Sequence, residues 1–279
     1  MNSVKNIEHF DELVSGCRER KNTGNINCLL LPDELESLTR AGTLYYEEFD
    51  GGLSFFHDRE KYYILSVFSD KESPFYMKPK NKPVVTEFQG FNKLSAKSAS
   101  MITRLEKFNF KASAVTRRMV VKTREFINNK KPVDTKTMGY KVMFAVPEHT
   151  AAIMEVWENS FDPAVNLLPA ANELAEIIRD GNVICAINED NRVIGNQVIG
   201  ALQVGFNKEA GWIRHEAVLP EFRGKKIGSA MSGFFLDAAG KREVERIFLY
   251  VIETHDRAVN FHKKFGFEFD GRIMAQYIY

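Results

Sequence analysis

A run of glycine and basic residues between a predicted strand and a predicted helix carries the strongest chemical signal in this sequence. It lies within residues 218–231 and combines two glycines with three basic side chains: Gly224, Gly228, Arg223, Lys225 and Lys226. Apolar residues then recur at the three- and four-residue steps of an amphipathic helix: Ile227, Ala230, Met231, Phe234 and Ala238. The first N–H groups of a helix have no intrahelical partner, and the helix dipole favours negative charge beside them. The run is therefore a candidate anion site, and a phosphate-bearing ligand suits it best.

Two common phosphate-binding motifs do not fit this run. It lacks the Gly-Lys-Ser/Thr ending of a P-loop, and it is not Gly-x-Gly-x-x-Gly, which argues against a nucleotide hydrolase and against a dinucleotide fold. It resembles instead the acyl-CoA pyrophosphate loop of the GNAT superfamily of N-acyltransferases, whose pattern is Arg/Gln-x-x-Gly-x-Gly/Ala. Arg223 and Gly228 match that pattern, and Lys226 stands where the first family glycine usually lies. The alternative is a solvated basic turn.

The resemblance implies acetyl-CoA as the co-substrate and no metal. Main-chain groups of Ala217 and Val218, at the end of the strand predicted over 211–218, would pair with the pantetheine arm. His255 stands where family members commonly carry an Asn that starts a helix beside CoA. The pyrophosphate would lie against the residues of the loop: Arg223, Gly224, Lys225, Lys226, Ile227, Gly228 and Ser229.

His262 is the first predicted catalytic residue. The resemblance places it where the family commonly carries a Tyr general acid, and its helical spacing from Val259 and Phe265 points it inward. An imidazole that titrates near neutral pH can donate a proton to a departing thiolate. The alternative is a core histidine bonded to a carbonyl group.

Glu216 is the second predicted catalytic residue, as the general base. Regular strand alternation places it on one face with Trp212, Arg214 and Val218, and the family often draws its base from this face. Burial beside an apolar cleft would raise the pKa of its carboxyl. The alternative is an ion pair with Arg214. His215 would face the other way unless a β-bulge resets the register, and Tyr250 and Glu253 are lesser candidates near the end of the next strand.

The acceptor site is expected, by analogy with the family, in the region 160–171 together with 272–279. Asp162, Asn166 and Asn172 are polar groups there that can orient an amine. The acceptor is expected to be a small molecule or a peptide with a primary amine, and its identity is not readable from the sequence.

The elements around these residues alternate between strands and helices, and the GNAT resemblance implies an α/β (α+β) fold with a mixed, mostly antiparallel central sheet flanked by helices. The order β-α-α-β-β-β-α-β-α-β over 138–279 is similar to that of a GNAT domain. A polar stretch at 128–139 is the candidate linker. We therefore predict an N-terminal α+β domain at 1–131 and a GNAT-like acetyl-CoA-binding domain at 132–279.

A short internal echo bears on the N-terminal half. The segment 105–111, Leu-Glu-Lys-Phe-Asn-Phe-Lys, parallels 262–268, His-Lys-Lys-Phe-Gly-Phe-Glu. The hypothesis is a degenerate GNAT-like half that has no counterpart of the Arg223–Gly228 loop and does not bind CoA. The alternative is an unrelated α+β domain.

Composition limits the remaining possibilities. The chain has 279 residues, 44% of them hydrophobic and 27% charged, with a net charge of +1, which gives no global field for nucleic acid or an anionic membrane. Three cysteines, Cys17, Cys28 and Cys185, show no metal spacing. Neither a signal peptide nor a membrane span is apparent. These features predict a cytoplasmic protein with no nucleic-acid or membrane partner, and a homodimer if the last strand, 273–279, is an exposed edge.

The resemblance to the GNAT superfamily implies an N-acetyltransferase that moves an acetyl group from acetyl-CoA to a primary amine by direct attack in a ternary complex. One alternative is a non-catalytic acyl-CoA-sensing module, because the loop lacks Gly at 226 and the helix lacks Tyr at 262. Another is an aminoacyl-tRNA-dependent transferase that grips RNA with the basic stretch 117–131.

Overall fold

Two compact units make up the chain: unit 1 contains 1–115 and 272–279, and unit 2 contains 116–271. The computed structural model describes residues 1–21, 24–25, 27–28, 30, 32–70, 74–78, 80–129, 139–189, 197–207 and 209–279. The predicted linker at 128–139 lies largely outside the described residues.

The described residues of unit 1 form one sheet with three helices. Its strands are β1 (Asn2–Ser3), β2 (Gly24–Asn25), β3 (Leu44–Phe49), β4 (Gly52–Arg59), β5 (Tyr62–Ser69), β6 (Val84–Phe91), β7 (Lys93–Leu94) and the first part of β8 (Lys111–Lys122). Its helices are α1 (Ile7–Lys21), α2 (Pro32–Arg40) and α3 (Ala96–Lys107). Residues 272–278 of the last strand, β14 (Glu268–Ile278), also belong to this unit.

Unit 2 begins with residues 116–122 of β8. Its other strands are β9 (Tyr140–Phe144), β10 (Val183–Asn188), β11 (Val198–Phe206), β12 (Ala210–Val218) and β13 (Arg246–Ile252). Its helices are α4 (Thr123–Asn129), α5 (Thr150–Glu158), α6 (Ala171–Arg179), α7 (Ile227–Lys241) and α8 (Asp256–Lys263).

The two units share one strand order. In unit 1, β1-β3-β4-β5 pair antiparallel in that order, β5 pairs parallel with β6, and β6 pairs antiparallel with β14. In unit 2, β9-β10-β11-β12 pair antiparallel, β12 pairs parallel with β13, and β13 pairs antiparallel with β8. The predicted mixed, mostly antiparallel sheet is confirmed, and the shared order supports the internal repeat.

The internal echo marks the same turn in both halves. Phe108 and Phe110 each donate their N–H to the carbonyl of Leu105, as Phe265 and Phe267 do to that of His262. Between each pair stands a residue with positive φ, Asn109 (72°) or Gly266 (86°). Gly266 thus ends its helix as its residue type predicts.

The last strand of each unit comes from the other half of the sequence. Residues 116–122, which we predict in the N-terminal domain, pair with β13 in unit 2, and 272–278 pair with β6 in unit 1. The compact units therefore differ from the predicted division after residue 131. The expectation that 273–279 forms an exposed edge is wrong on its β6 side, where Arg272–Ile278 pairs with Val85–Phe91.

A hydrophobic core covers each face of the unit 2 sheet. Alternating residues of β10 divide between them: Ile184 and Ala186 pack with α7, whereas Val183 and Cys185 pack with α5 and α6. The fully buried Trp157 of α5 lies in the second core. Within the part of the chain that the structure describes, no helix is both long and apolar enough to cross a membrane.

Candidate active site at the end of strand β12

Strand β12 contains a β-bulge just before its end. Ala201 of β11 faces Ala217, but Gln203 faces Arg214, so two residues of β12 stand opposite one residue of β11. These two are His215 and Glu216, and His215 has a φ of +38°. A bulge adds one residue to the strand and re-aims the side chains beyond it.

The bulge changes which side chains share a face. Ile213 before it and Val218 after it both pack in the core beneath α7, and Glu216 also points to that side. The expectation that Trp212 and Arg214 share the face of Glu216 is wrong, because regular alternation does not continue through the bulge. The alternative ion pair with Arg214 does not form: Arg214 is exposed, and the carboxyl of Glu216 accepts a hydrogen bond from Ser232.

Beyond the point where the bulge begins, β12 leaves its parallel neighbour. Pairing of β12 with β13 runs from Ala210–Arg246 to Ile213–Leu249 and does not extend to Ala217 or Val218. On the other side, Ala217 and Val218 pair with Ala201 and Gly200 of β11. The β13-facing edge at 214–218 is thus available to a ligand that supplies its own amide groups.

The basic loop follows directly and turns into α7. Gly224 (φ +83°) and Lys226 (φ +60°) are both left-handed, and Lys226 is the N-cap of the helix. The Nε of Arg223 donates a 3.0 Å hydrogen bond to the carbonyl of Val218, so the loop is tied to the strand end. The Tyr140 hydroxyl donates to the carbonyl of Lys225 at 3.3 Å. The N–H groups of Ile227, Gly228 and Ser229 open the helix, as an anion site requires.

Glu216 lies beneath the first turn of this helix. Its Oε1 accepts from Ser232 Oγ at 3.3 Å and would lie 3.2 Å from a methyl group placed on Gly228. Its Oε2 is buried and has no hydrogen-bond partner among the described residues, although the residue as a whole is only partly buried. Burial raises the pKa of Glu216 to about 8, an effect that the Ser232 hydrogen bond only partly offsets. The direction of this shift is the one that the sequence predicts.

His262 points inward from α8, as its spacing predicts. Its ring is buried between those of Phe261 and Phe267, with centroid separations of 5.1 and 5.7 Å. Burial lowers the pKa of His262 to about 4. The expectation that it titrates near neutral pH is therefore wrong, because the aromatic surroundings disfavour the imidazolium.

The structure brings most of the predicted site residues to one place. The strand end, the loop and the first turn of α7 follow one another along the chain. A methyl group placed on Gly228 would lie 3.2 Å from Glu216 Oε1 and 3.5 Å from the ring of Phe261 on α8. His255 is exposed at the N-cap of α8, where its carbonyl accepts from the N–H groups of Ala258 and Val259.

The sequence did not predict a polar cluster of His215, Gln203 and Asn166, which lies on the face of the sheet opposite to Glu216. His215 Nε2 lies 2.7 Å from the carbonyl of Asn166, and its Nδ1 lies 2.7 Å from Oε1 of the buried Gln203. The ring also packs on Trp157 at 5.3 Å between centroids. Asn166 is in the region predicted to choose the acceptor, but nothing in the local sequence singles out Gln203, because only the bulge turns His215 toward it.

Two arginines at the start of the basic stretch 117–131 have acidic partners. Arg117 pairs with Glu253 and lies over the ring of Phe269, and Arg118 pairs with Asp270. Charges engaged in this way contribute little to a nucleic-acid surface. Glu253, a lesser candidate for the base, is therefore engaged with Arg117.

Residues 150–267 match the acetyltransferase (GNAT) family. This part of the chain is therefore similar to a GNAT acetyltransferase domain. The match contains β12, the pyrophosphate-type loop, α7 and α8, so it covers the strand end and loop described above. No curated protein sequence matches the chain.

Solved GNAT structures share the fold at low sequence identity. A tandem GNAT protein of the clavulanic acid biosynthesis pathway is 11% identical, with a TM-score of 0.59, and the alignment covers 96% of this chain and 95% of that one. A GCN5-related N-acetyltransferase from Sphaerobacter thermophilus is 14% identical, with a TM-score of 0.53 over 97% of this chain and 91% of that one. One from Kribbella flavida is 10% identical, with a TM-score of 0.52 over 88% and 91%. The fold of the whole chain is thus similar to that of a tandem GNAT protein.

Metal ligation has no visible basis in the described ranges. They contain no group of three or more His, Cys, Asp or Glu side chains placed to hold an ion.

Proposed function

We propose that this chain is an N-acetyltransferase that transfers an acetyl group from acetyl-CoA to a primary amine. The observation that carries the proposal is the continuity of three features: a strand edge without a β13 partner at 214–218, the loop from Arg223, and the N-terminus of α7. The first suits the amide groups of the pantetheine arm, and the other two suit its pyrophosphate. The match of residues 150–267 to the GNAT family supports acyl transfer in general.

The proposed reaction is direct attack of the amine on the thioester in a ternary complex. The N–C bond forms as the C–S bond breaks, the amine loses one proton, and the thiolate leaves as CoA. The acceptor is proposed to be a small molecule or a peptide that enters near the region 160–171, where the carbonyl of Asn166 contacts His215. Two buried polar atoms at or just before that region, Trp157 Nε1 and Ser160 Oγ, have no hydrogen-bond partner among the described residues.

Glu216 stays the proposed proton acceptor, and His262 the group proposed to assist the thiolate. With a pKa of about 8, Glu216 is mostly protonated at pH 7, so its action as a base should increase as pH rises through 8. His262, with a pKa of about 4, is neutral at pH 7 and offers the sulfur an N–H hydrogen bond rather than an imidazolium proton.

A thermal-shift titration with acetyl-CoA tests the co-substrate. At about 100 times its dissociation constant, acetyl-CoA should stabilise the wild type by roughly 2.7 kcal/mol. Arg223→Glu should lose most of this shift, because it reverses the charge at the loop and removes the tie to Val218. The matched control is Arg124→Glu, which makes the same charge reversal at an exposed arginine of α4, outside the strand edge and the loop. The proposal fails if acetyl-CoA gives no shift in the wild type, or an equal shift in Arg223→Glu.

A non-catalytic acyl-CoA sensor makes the same binding prediction and is the second candidate. It is favoured by the low pKa of His262, which removes an imidazolium acid at neutral pH. Release of free CoA in the presence of a panel of primary amines separates the two. Binding without CoA release from any amine would support the sensor. An aminoacyl-tRNA-dependent transferase has less support, because Arg117 and Arg118 are paired with acids.

A further inference from the structure

Unit 1 contains a strand separation like that at the unit 2 site. Its parallel strands β5 and β6 pair at Tyr63–Val84 and Ile64–Val85 and then part. In unit 2 the equivalent strands β12 and β13 part after Ile213–Leu249. The difference lies in what occupies the separation.

In unit 1 the side chain of Asn27 bridges the parted strands. Its Nδ2 donates to the carbonyl of Leu65 at 3.3 Å and to that of Glu87 at 3.1 Å, and it lies 2.7 Å from Thr86 Oγ1. Its Oδ1 accepts from the N–H of Val67 at 2.8 Å. Because main-chain carbonyls only accept hydrogen bonds, these contacts fix which way the carboxamide points.

The connection that carries Asn27 also lengthens the sheet at this place. Gly24 and Asn25 form β2, which pairs antiparallel with Ser69 and Phe68 of β5. Thr86 adds a 3.0 Å hydrogen bond from its hydroxyl to the carbonyl of Leu65. Main-chain groups beyond the separation are thus paired with residues of the chain itself.

We propose that Asn27 closes in unit 1 the cleft that receives the acyl carrier in unit 2, so that the chain binds one acetyl-CoA. The carboxamide of Asn27 makes the hydrogen bonds that an amide group of a ligand would make. Its oxygen accepts from the N–H of Val67, and its nitrogen donates to the carbonyl of Leu65. This inference rests on the proposed function of unit 2.

The segment after β5 agrees with a closed cleft. In unit 2 the loop and α7 connect β12 to β13, whereas 74–78 and 80–83, the described part of the connection from β5 to β6, contain no helix. Phe75 and Met77 of this connection are instead buried in the unit 1 core. The described part of unit 1 therefore offers no helix N-terminus for a pyrophosphate after β5.

The first test is the stoichiometry of acetyl-CoA binding, measured by isothermal titration calorimetry on the full chain. We expect one site per chain in the wild type and at least a tenfold weaker affinity in Arg223→Glu. Two sites in the wild type, one of which survives Arg223→Glu, would overturn the closed cleft and leave the proposed function standing. No binding of any kind would overturn the proposed function.

The second test asks whether Asn27 itself closes the cleft. Asn27→Asp replaces the Nδ2 donor with an oxygen that faces two carbonyl oxygens, and it should lower the melting temperature by about 5 °C or more. Asn81→Asp makes the same chemical change at an exposed position and should leave the melting temperature within about 2 °C. Equal melting temperatures of the two variants would overturn the role of Asn27, whatever the stoichiometry.

Discussion

At the scale of single residues, the pKa of Glu216 links the site to pH. The carboxyl titrates near 8 in the folded protein, against an ordinary value of 4.5. Between these values the unfolded chain has released the proton and the folded chain has kept it. Stability is therefore lost as pH rises toward 8, by about 1.4 kcal/mol per pH unit for this group alone.

Glu216→Gln should remove this loss. Below pH 6.5 His262 changes the stability in the opposite direction. Between pH 6.5 and 4 its imidazole is protonated in the unfolded chain but not in the folded chain, so stability is lost as pH falls. The window from pH 6.5 to 8 therefore isolates Glu216. Over it, urea unfolding should show the variant gaining about 2 kcal/mol relative to the wild type. Glu221→Gln removes an exposed carboxyl from the neighbouring turn and should show no such gain. If the stability of Glu216→Gln and of the wild type changed in parallel with pH, the raised pKa of Glu216 would be contradicted.

Lys226 holds a backbone conformation that suits glycine better. Its φ of +60° costs a residue with a Cβ roughly 1 kcal/mol. Lys226→Gly should therefore raise the melting temperature by about 2 °C, whereas Lys226→Ala should not. Both variants should bind acetyl-CoA within a few-fold of the wild type if the loop acts mainly through its N–H groups. A lower melting temperature in Lys226→Gly than in Lys226→Ala would show that the lysine side chain stabilises the turn.

At the scale of elements, the sequence was most informative where one local pattern decides one local structure. The glycines and the three- and four-residue steps after Lys226 predict a loop followed by α7, and both form. The bulge at His215 and Glu216 was foreseen only as an alternative, because no residue type there requires a positive φ. The site follows this one irregularity: it turns Glu216 under α7 and His215 toward Gln203 and Asn166.

At the scale of the whole molecule, the similarity of the seven-residue segments 105–111 and 262–268 indicated the repeat. The sequence did not indicate that each unit takes its last strand from the other half of the chain. Local pattern identifies 268–278 as a strand without indicating its partner, since each half ends its parallel pair with a strand, β6 or β13, that needs an antiparallel neighbour. Pairing over such sequence distances depends on the complete fold rather than on the strand's own residues.

Removal of 272–279 should therefore damage unit 1 rather than the site in unit 2. The truncation deletes the partner of β6, the hydrogen bond from Ser113 to Gln276, and the ring of Tyr279 against Phe110. Hydrogen exchange should show β6 amides losing protection by at least tenfold. The full chain with Tyr279→Ala is the control: it loses only the ring of Tyr279 and so distinguishes the effect of the ring from that of the strand. Unchanged protection of β6 in the truncated chain would contradict the assigned pairing.

The exchange of strands also sets an order on biosynthesis. A ribosome makes residues 1–115 first, yet the sheet of unit 1 has no β14 until 272–278 have emerged. At about 5–20 residues per second, the edge of β6 stays without that partner for roughly 8–30 seconds of elongation. During this interval the edge of β6 can pair with a neighbouring nascent chain, so slower translation or a lower supply of chaperones should reduce the yield of the folded protein.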